Sequence, residues 1–148
     1  MWSRVTRTFG RARVLMPYQF DFDSTNRILR GRLDGCVTDE VLNEYYRAAA
    51  GYAAQIDPLR GVTDFSAVTS FEVSAQAVRK LARSTPAMPD VSRVRVIIAP
   101  VDHVFGIARL FQIEGEKTRP HNHVVRTLRE AWAVFGIQDP KFEPLPTT

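Results

Sequence analysis

The sequence predicts an α/β domain built on one mixed, mainly parallel β-sheet, opened by an antiparallel hairpin and packed by helices. Its order is β-β-α-β-α-β-α-β-α. Three observations carry that reading. Residues 18–23 alternate, with Tyr18, Phe20 and Phe22 on one face and Gln19, Asp21 and Asp23 on the other. Residues 94–99 are continuously apolar after Arg95, as a buried parallel strand should be. Three stretches with helical periodicity separate the later strands and a fourth follows the last, which implies crossover connections and parallel pairing.

In chain order, the first alternating strand meets Ser24-Thr25-Asn26, a turn, and residues 27–33 return as the second strand. Leu29 and Leu33 share one face of it and Arg30 and Arg32 the other, so the hairpin sets the arginines near Asp21 and Asp23. Exposed pairs of that kind contribute under about 1 kcal/mol, and the face reads as solvated. Asp34-Gly35 ends the hairpin. Thr38 caps the next helix, whose core face is Val41, Leu42, Tyr45, Ala49, Tyr52 and Ile56, and Asp57-Pro58 stops it.

Val62 to Val68 reads as a buried strand interrupted by Asp64, a carboxylate that needs a partner there. Thr69 and Ser70 supply a turn. Ser74 precedes AQAVRKLAR, a helix with Val78, Leu81 and Ala82 inward and Arg79, Lys80 and Arg83 mostly outward. The hydroxyl of Ser74 is placed to cap that helix, and a phosphate there would sit at its favourable end, opposed by Glu72.

Residues 84–90, with Pro86 and Pro89, form a loop. Residues 102–113 read as a helix capped by Asp102. Gly106 within it points to close packing, and Arg109 is placed to reach an acidic partner, Asp64 or Glu72. His123–Arg126 is a short edge strand. Thr127 and Glu130 have the spacing of a capping box, and Gly136 stops the last helix. The tail from Gln138, with three prolines, is expected on the surface or outside the ordered fold.

The chain divides accordingly into a basic N-terminal arm (1–17), a folded body (18–138) and a Pro-rich tail (139–148). The arm carries Arg4, Arg7, Arg11 and Arg13 and no acid, while the remainder holds 16 basic and 16 acidic residues. The high pI therefore comes from the arm, which argues against a nucleic-acid footprint on the body. The arm has no signal-peptide core, and no apolar run approaches membrane-spanning length. Cys36, the one cysteine, cannot form an internal disulfide, which fits a reducing compartment. The expected location is cytoplasmic.

Catalytic and cofactor signatures are missing. No phosphate-binding glycine loop, nucleophile elbow or zinc spacing occurs, and His121 and His123 lack further ligands at a familiar spacing. The expectation is a protein that is not an enzyme and needs no cofactor or metal; an esterase-like use of Ser74 with His103 has no motif behind it.

One stretch carries a resemblance. Asp64-Phe65-Ser66-Ala67-Val68-Thr69 matches the strand that, in STAS regulators, runs into an aspartate-serine-serine-glycine helix start. The following Glu72-Val73-Ser74-Ala75 keeps the serine and changes its neighbours. Val104-Phe105-Gly106-Ile107-Ala108-Arg109 is similar to a segment of the SpoIIAA-like group. From Tyr18 to Ile137 the chain resembles the STAS superfamily, SpoIIAA-like group, whose fold is also compared with lipid-carrying CRAL-TRIO domains.

The resemblance implies a non-enzymatic regulatory or ligand-sensing domain with a protein partner and an eroded phosphoserine motif. Ser74 is its candidate phosphosite. The candidate binding surface is Asp64, Ser70, Glu72, Ser74, Arg79 and Arg109. Homodimerisation is compatible with it. The alternative is a small-ligand carrier for a lipid-like or anionic molecule, drawing on Tyr45, Tyr52, Phe65, Phe71, Phe105 and Phe111 with Arg79, Lys80 and Arg109.

Overall fold

The computed structural model describes residues 17–147; the basic arm, apart from Pro17, lies outside the described residues. The elements are β1 (Tyr18–Asp23), β2 (Ile28–Thr38), α1 (Asp39–Ile56), β3 (Arg60–Glu72), α2 (Ala75–Arg83), β4 (Val94–Ile98), α3 (Asp102–Glu114), β5 (Asn122–Val125), α4 (Leu128–Phe135) and β6 (Glu143–Pro144). They form one six-stranded sheet in the order β5-β4-β3-β2-β1-β6. β2 to β5 run parallel, and β1 lies antiparallel to both β2 and β6. The predicted class and element order hold, with β6 added from the tail.

Alternation on the strands creates two cores. One face of the sheet buries Phe20, Leu29 and Leu33 against Tyr45 and Ala49 of α1, Val78 of α2 and Phe111 of α3. The other face packs Ile28, Val62, Val96 and Ile98 against Ala131, with Trp132 and Phe135 of α4 at its margin. Val62, Val96 and Ile98 are nearly inaccessible on this face, and Phe65 and Ile97 are buried on the other, so both faces of β3 and β4 are covered there.

Gly31 explains how close α1 comes to the sheet. A Cβ at that position would run into the Tyr45 ring and hydroxyl. Without one, the ring lies flat on β2, stacks on Phe20 at 5.1 Å between centroids and reaches Thr63 with a 2.8 Å hydroxyl–hydroxyl bond.

Several local expectations fail for identifiable reasons. Asp34-Gly35 does not end β2. Register shifts flank it, Gly35 takes φ +70°, and the strand resumes to bury Val37. Thr69 and Ser70 are likewise strand, because β3 continues beside the extended β2 up to the Thr38–Glu72 pair. Asp102 is not a cap: it is the first residue of α3, Val101 holds the cap position without a side-chain bond, and Asp102 instead pairs with Arg126 at 2.6 Å. Gly106 packs against nothing, since a Cβ there would meet open space.

The face carrying Asp21 and Arg30 is not solvated. Arg30 grips Asp21 through Nε (2.9 Å) and Nη2 (2.7 Å), and the Asp21 side chain is only 6% exposed. Phe142 from the tail lies over the guanidinium, 3.9 Å from it to ring centroid. The tail is thus part of the fold. Leu145 N–H bonds Phe20 O, and Tyr52 donates its hydroxyl to Pro146 O. The Lys141 N–H reaches the Asp23 carboxylate at 3.1 Å.

Candidate functional site

The C-terminal ends of β2 and β3 lie side by side, and each strand runs directly into a helix. Because Thr38 pairs with Glu72, the first residue of α1 comes to rest beside the cap of α2. Asp39 accepts from the Ser74 backbone N–H at 2.7 Å through Oδ1 and from the Ser74 hydroxyl at 2.8 Å through Oδ2. The same hydroxyl accepts from Ala77 N–H at 3.1 Å, as a capping serine should. Two helix starts are therefore clasped by one carboxylate, which also sits favourably at the positive end of α1.

Two register steps earlier, Cys36 pairs with Ser70. The Ser70 hydroxyl donates to Glu72 Oε2 at 3.0 Å, and Cys36 Sγ lies 3.7 Å from the same oxygen. Beside the clasp, an open groove of about 570 Å³ runs between α1 and α2. Asp39 and Ser74 lie in it, with Asn43, Arg47, Ala77 and Lys80 along its sides.

The six residues expected to form one surface do not all converge. Ser70, Glu72 and Ser74 share the strand ends. Asp64 is buried mid-strand and accepts from Ser66 N–H at 2.8 Å, a local bond that supplies the partner a buried carboxylate needs. Arg109 is exposed on α3 and donates to Gln112 Oε1, so its expected pairing with Asp64 or Glu72 is not formed. Arg79 and Arg83 line an adjoining depression that shares Gln76 and Lys80 with the groove. Asp39 and Cys36 complete the strand-end cluster although neither stands out in the sequence. Asp39 reads there as an ordinary first-turn acid, and only the β2–β3 register gives it a partner.

The carrier residues are dispersed too. Tyr45 and Phe111 line an internal cavity, whereas Phe65 packs edge-on against Phe71, which in turn meets the His103 ring at 6.0 Å. No hydrogen bond joins His103 to Ser74 among the described residues. No cluster of three metal-ligating side chains occurs among them either, and none of their helices is long and apolar enough to cross a membrane.

With that geometry in place, likeness to solved structures decides the fold. The anti-sigma factor antagonist SpoIIAA in its unphosphorylated form superposes with a TM-score of 0.55 at 15% identity, over 82% of this chain and 99% of that one. The fold is SpoIIAA-like, of the STAS type. The Bacillus cell fate determinant SpoIIAA in its phosphorylated form superposes at TM-score 0.50 and 17% identity, over 78% of this chain and 96% of that one. No family model matches the sequence, and no curated protein matches it. The SpoIIAA-like fold covers 82% of the chain.

Proposed function

We propose that this chain is a non-enzymatic regulatory interaction domain whose partner surface is centred on the Ser74–Asp39 clasp. The observation that carries it is the clasp itself. It is exposed, it holds two helix starts together, and every bond in it depends on an unmodified serine hydroxyl or its backbone amide. The Ser74 hydroxyl gives its proton to a carboxylate and has no imidazole partner, an arrangement suited to holding a surface rather than attacking a substrate.

Phosphorylation of Ser74 would remove the proton donated to Asp39 and set a dianion against that carboxylate. The α1–α2 groove would then respond: Arg47 and Lys80, already on its walls, are the cations available to the phosphate. The SpoIIAA structures are of an anti-sigma factor antagonist in its unphosphorylated form and of a cell fate determinant in the phosphorylated form, and together with the sequence resemblance around Ser74 they support reading this helix start as a switch-bearing contact. The altered neighbours of Ser74 make it an eroded version of that motif.

The test has two arms. A photo-crosslinking residue at Gln76, beside the clasp, should capture one discrete protein in cells, and Ser74→Asp should abolish that capture. Placed at Arg129 on α4, the same probe should capture nothing specific. Equal capture by wild type and Ser74→Asp would defeat the switch, and no discrete partner at Gln76 would defeat the interaction reading.

A further inference from the structure

A cavity of about 60 Å³ lies inside the fold, between the sheet and the α1–α3 layer, and shares no lining residue with the groove at the Ser74 cluster. Its walls are Phe20, Leu29, Tyr45 and Phe111 on the apolar side, with Arg95, Arg119 and Asn122 on the polar side. One water needs about 10–15 Å³ on this measure, so the space takes a molecule of about four to six non-hydrogen atoms.

The polar side is under-satisfied in a consistent way. Asn122 is 5% exposed, and neither its side-chain nitrogen nor its oxygen meets a hydrogen-bond partner among the described residues. Native interiors pair such groups. Arg119 is 3% exposed and uses Nη1 on Ala82 O and Thr118 Oγ1, leaving Nε and Nη2 without a bond to any described residue. Arg95 donates to the carbonyls of Met88 and Arg93. No carboxylate forms an ion pair with either arginine among the described residues, and the two lie close enough to repel. Desolvation, and then Arg119, push the Arg95 pKa down to about 10. Arg119 is buried and Arg95 half-buried, and desolvating cations without a directly paired carboxylate is costly, which makes this corner a receptor for negative charge.

We propose that the cavity is a binding site for a short-chain monocarboxylate, its carboxylate between Arg119 and Asn122 and its hydrocarbon end against Phe20, Tyr45 and Phe111. A planar two-oxygen anion matches a guanidinium fork, and the apolar walls reward a hydrocarbon body that inorganic anions lack. Access runs past Met88. Ala87 and Met88 line both this cavity and a surface groove between α1 and the 84–93 loop. The site stands whether or not Ser74 is a contact surface.

The test titrates the 15N-labelled full chain with butyrate, 1-butanol and inorganic phosphate, following the Asn122 side-chain amide and the Arg119 Nε–H by NMR. Butyrate should shift both saturably, and the other two should bind at least about tenfold more weakly, the scale of one charge-assisted hydrogen bond. Asn122→Asp, which places a carboxylate beside the guanidiniums from within, should fold at least as stably and lose butyrate binding. Asn122→Leu should lose it too. No saturable shift with butyrate, equal binding of butanol or phosphate, or unchanged butyrate affinity in folded Asn122→Asp would each overturn the proposal.

Discussion

Asp39 and Ser74 stand 35 positions apart in the chain, yet the Asp39 carboxylate takes hydrogen bonds from both the hydroxyl and the backbone N–H of Ser74. That relationship follows from the parallel register of β2 and β3, which sets Thr38 opposite Glu72 and so brings together the segments that follow the two strands. It converts two separate helix caps into one unit.

A double-mutant cycle measures that unit. Ser74→Ala loses both the cap and the hydroxyl donor, at a cost of about 1 kcal/mol. Asp39→Ala loses a carboxylate that accepts two bonds, about 1–2 kcal/mol for an exposed site. Because the two share one interaction, the double mutant should be less destabilised than the sum by about 0.5–1 kcal/mol. Strict additivity in urea denaturation would show that the clasp is not energetically coupled.

The sequence made the helix start at Ser74 legible, because a capping serine before a run of good helix formers is a local signal. It also made the Thr127–Glu130 capping box legible, and the structure forms both halves of it. What it hid is tertiary. Asp34-Gly35 carries turn chemistry, and only the neighbouring β3 shows that the chain passes through it by bulges. Arg119 and Asn122 look like loop residues in a polar segment, and their burial depends on α2, α3 and β4 closing over them. Local patterns report local geometry, whereas a site assembled by strand register leaves no spacing to read.

Gly31 should be intolerant of any side chain. Gly31→Ala drives a Cβ into the Tyr45 ring, which is fixed by Phe20 and the Thr63 bond and cannot retreat. The expected loss is about 1–3 kcal/mol. Tyr45→Phe removes only the hydroxyl and strands Thr63, for about 1–2 kcal/mol. Gly31→Ala combined with Tyr45→Ala should recover part of the glycine penalty; thermal melts of the three variants decide it.

Asp23 supplies a pH dependence. Burial raises its pKa, but hydrogen bonds from Asn26, Lys141 and Thr25 outweigh that and hold the carboxyl below its ordinary value. A group lowered on folding contributes stability above its unfolded pKa and loses it as pH falls through the folded one. Asp23→Asn should therefore cost about 2 kcal/mol at pH 7. The gap from wild type should close as the pH drops below about 4, the unfolded carboxyl range. Denaturant unfolding at stepped pH reads it directly, and a gap that stays constant down to pH 2 would contradict the assignment.

Removing the tail should open the fold at its β1 edge. Residues 141–147 supply β6, the Phe142 ring over Arg30 and the Lys141 N–H that bonds Asp23. Arg30 and Asp21 form a desolvated pair, and such pairs depend on remaining shielded and fully bonded. Ending the chain at Pro140 uncovers that pair and exposes the unpaired side of β1, an edge able to template association. The truncated protein should lose about 2–4 kcal/mol, counting an aromatic contact, two strand pairings and one charge-assisted bond. It should also self-associate on gentle heating. Phe142→Leu in the full chain separates the two effects, since it weakens the cover of Arg30 while keeping β6 on the edge. Light scattering should then stay at the wild-type level while the melting temperature falls. If the truncated chain melts like the intact one, β6 and Phe142 contribute nothing to the fold.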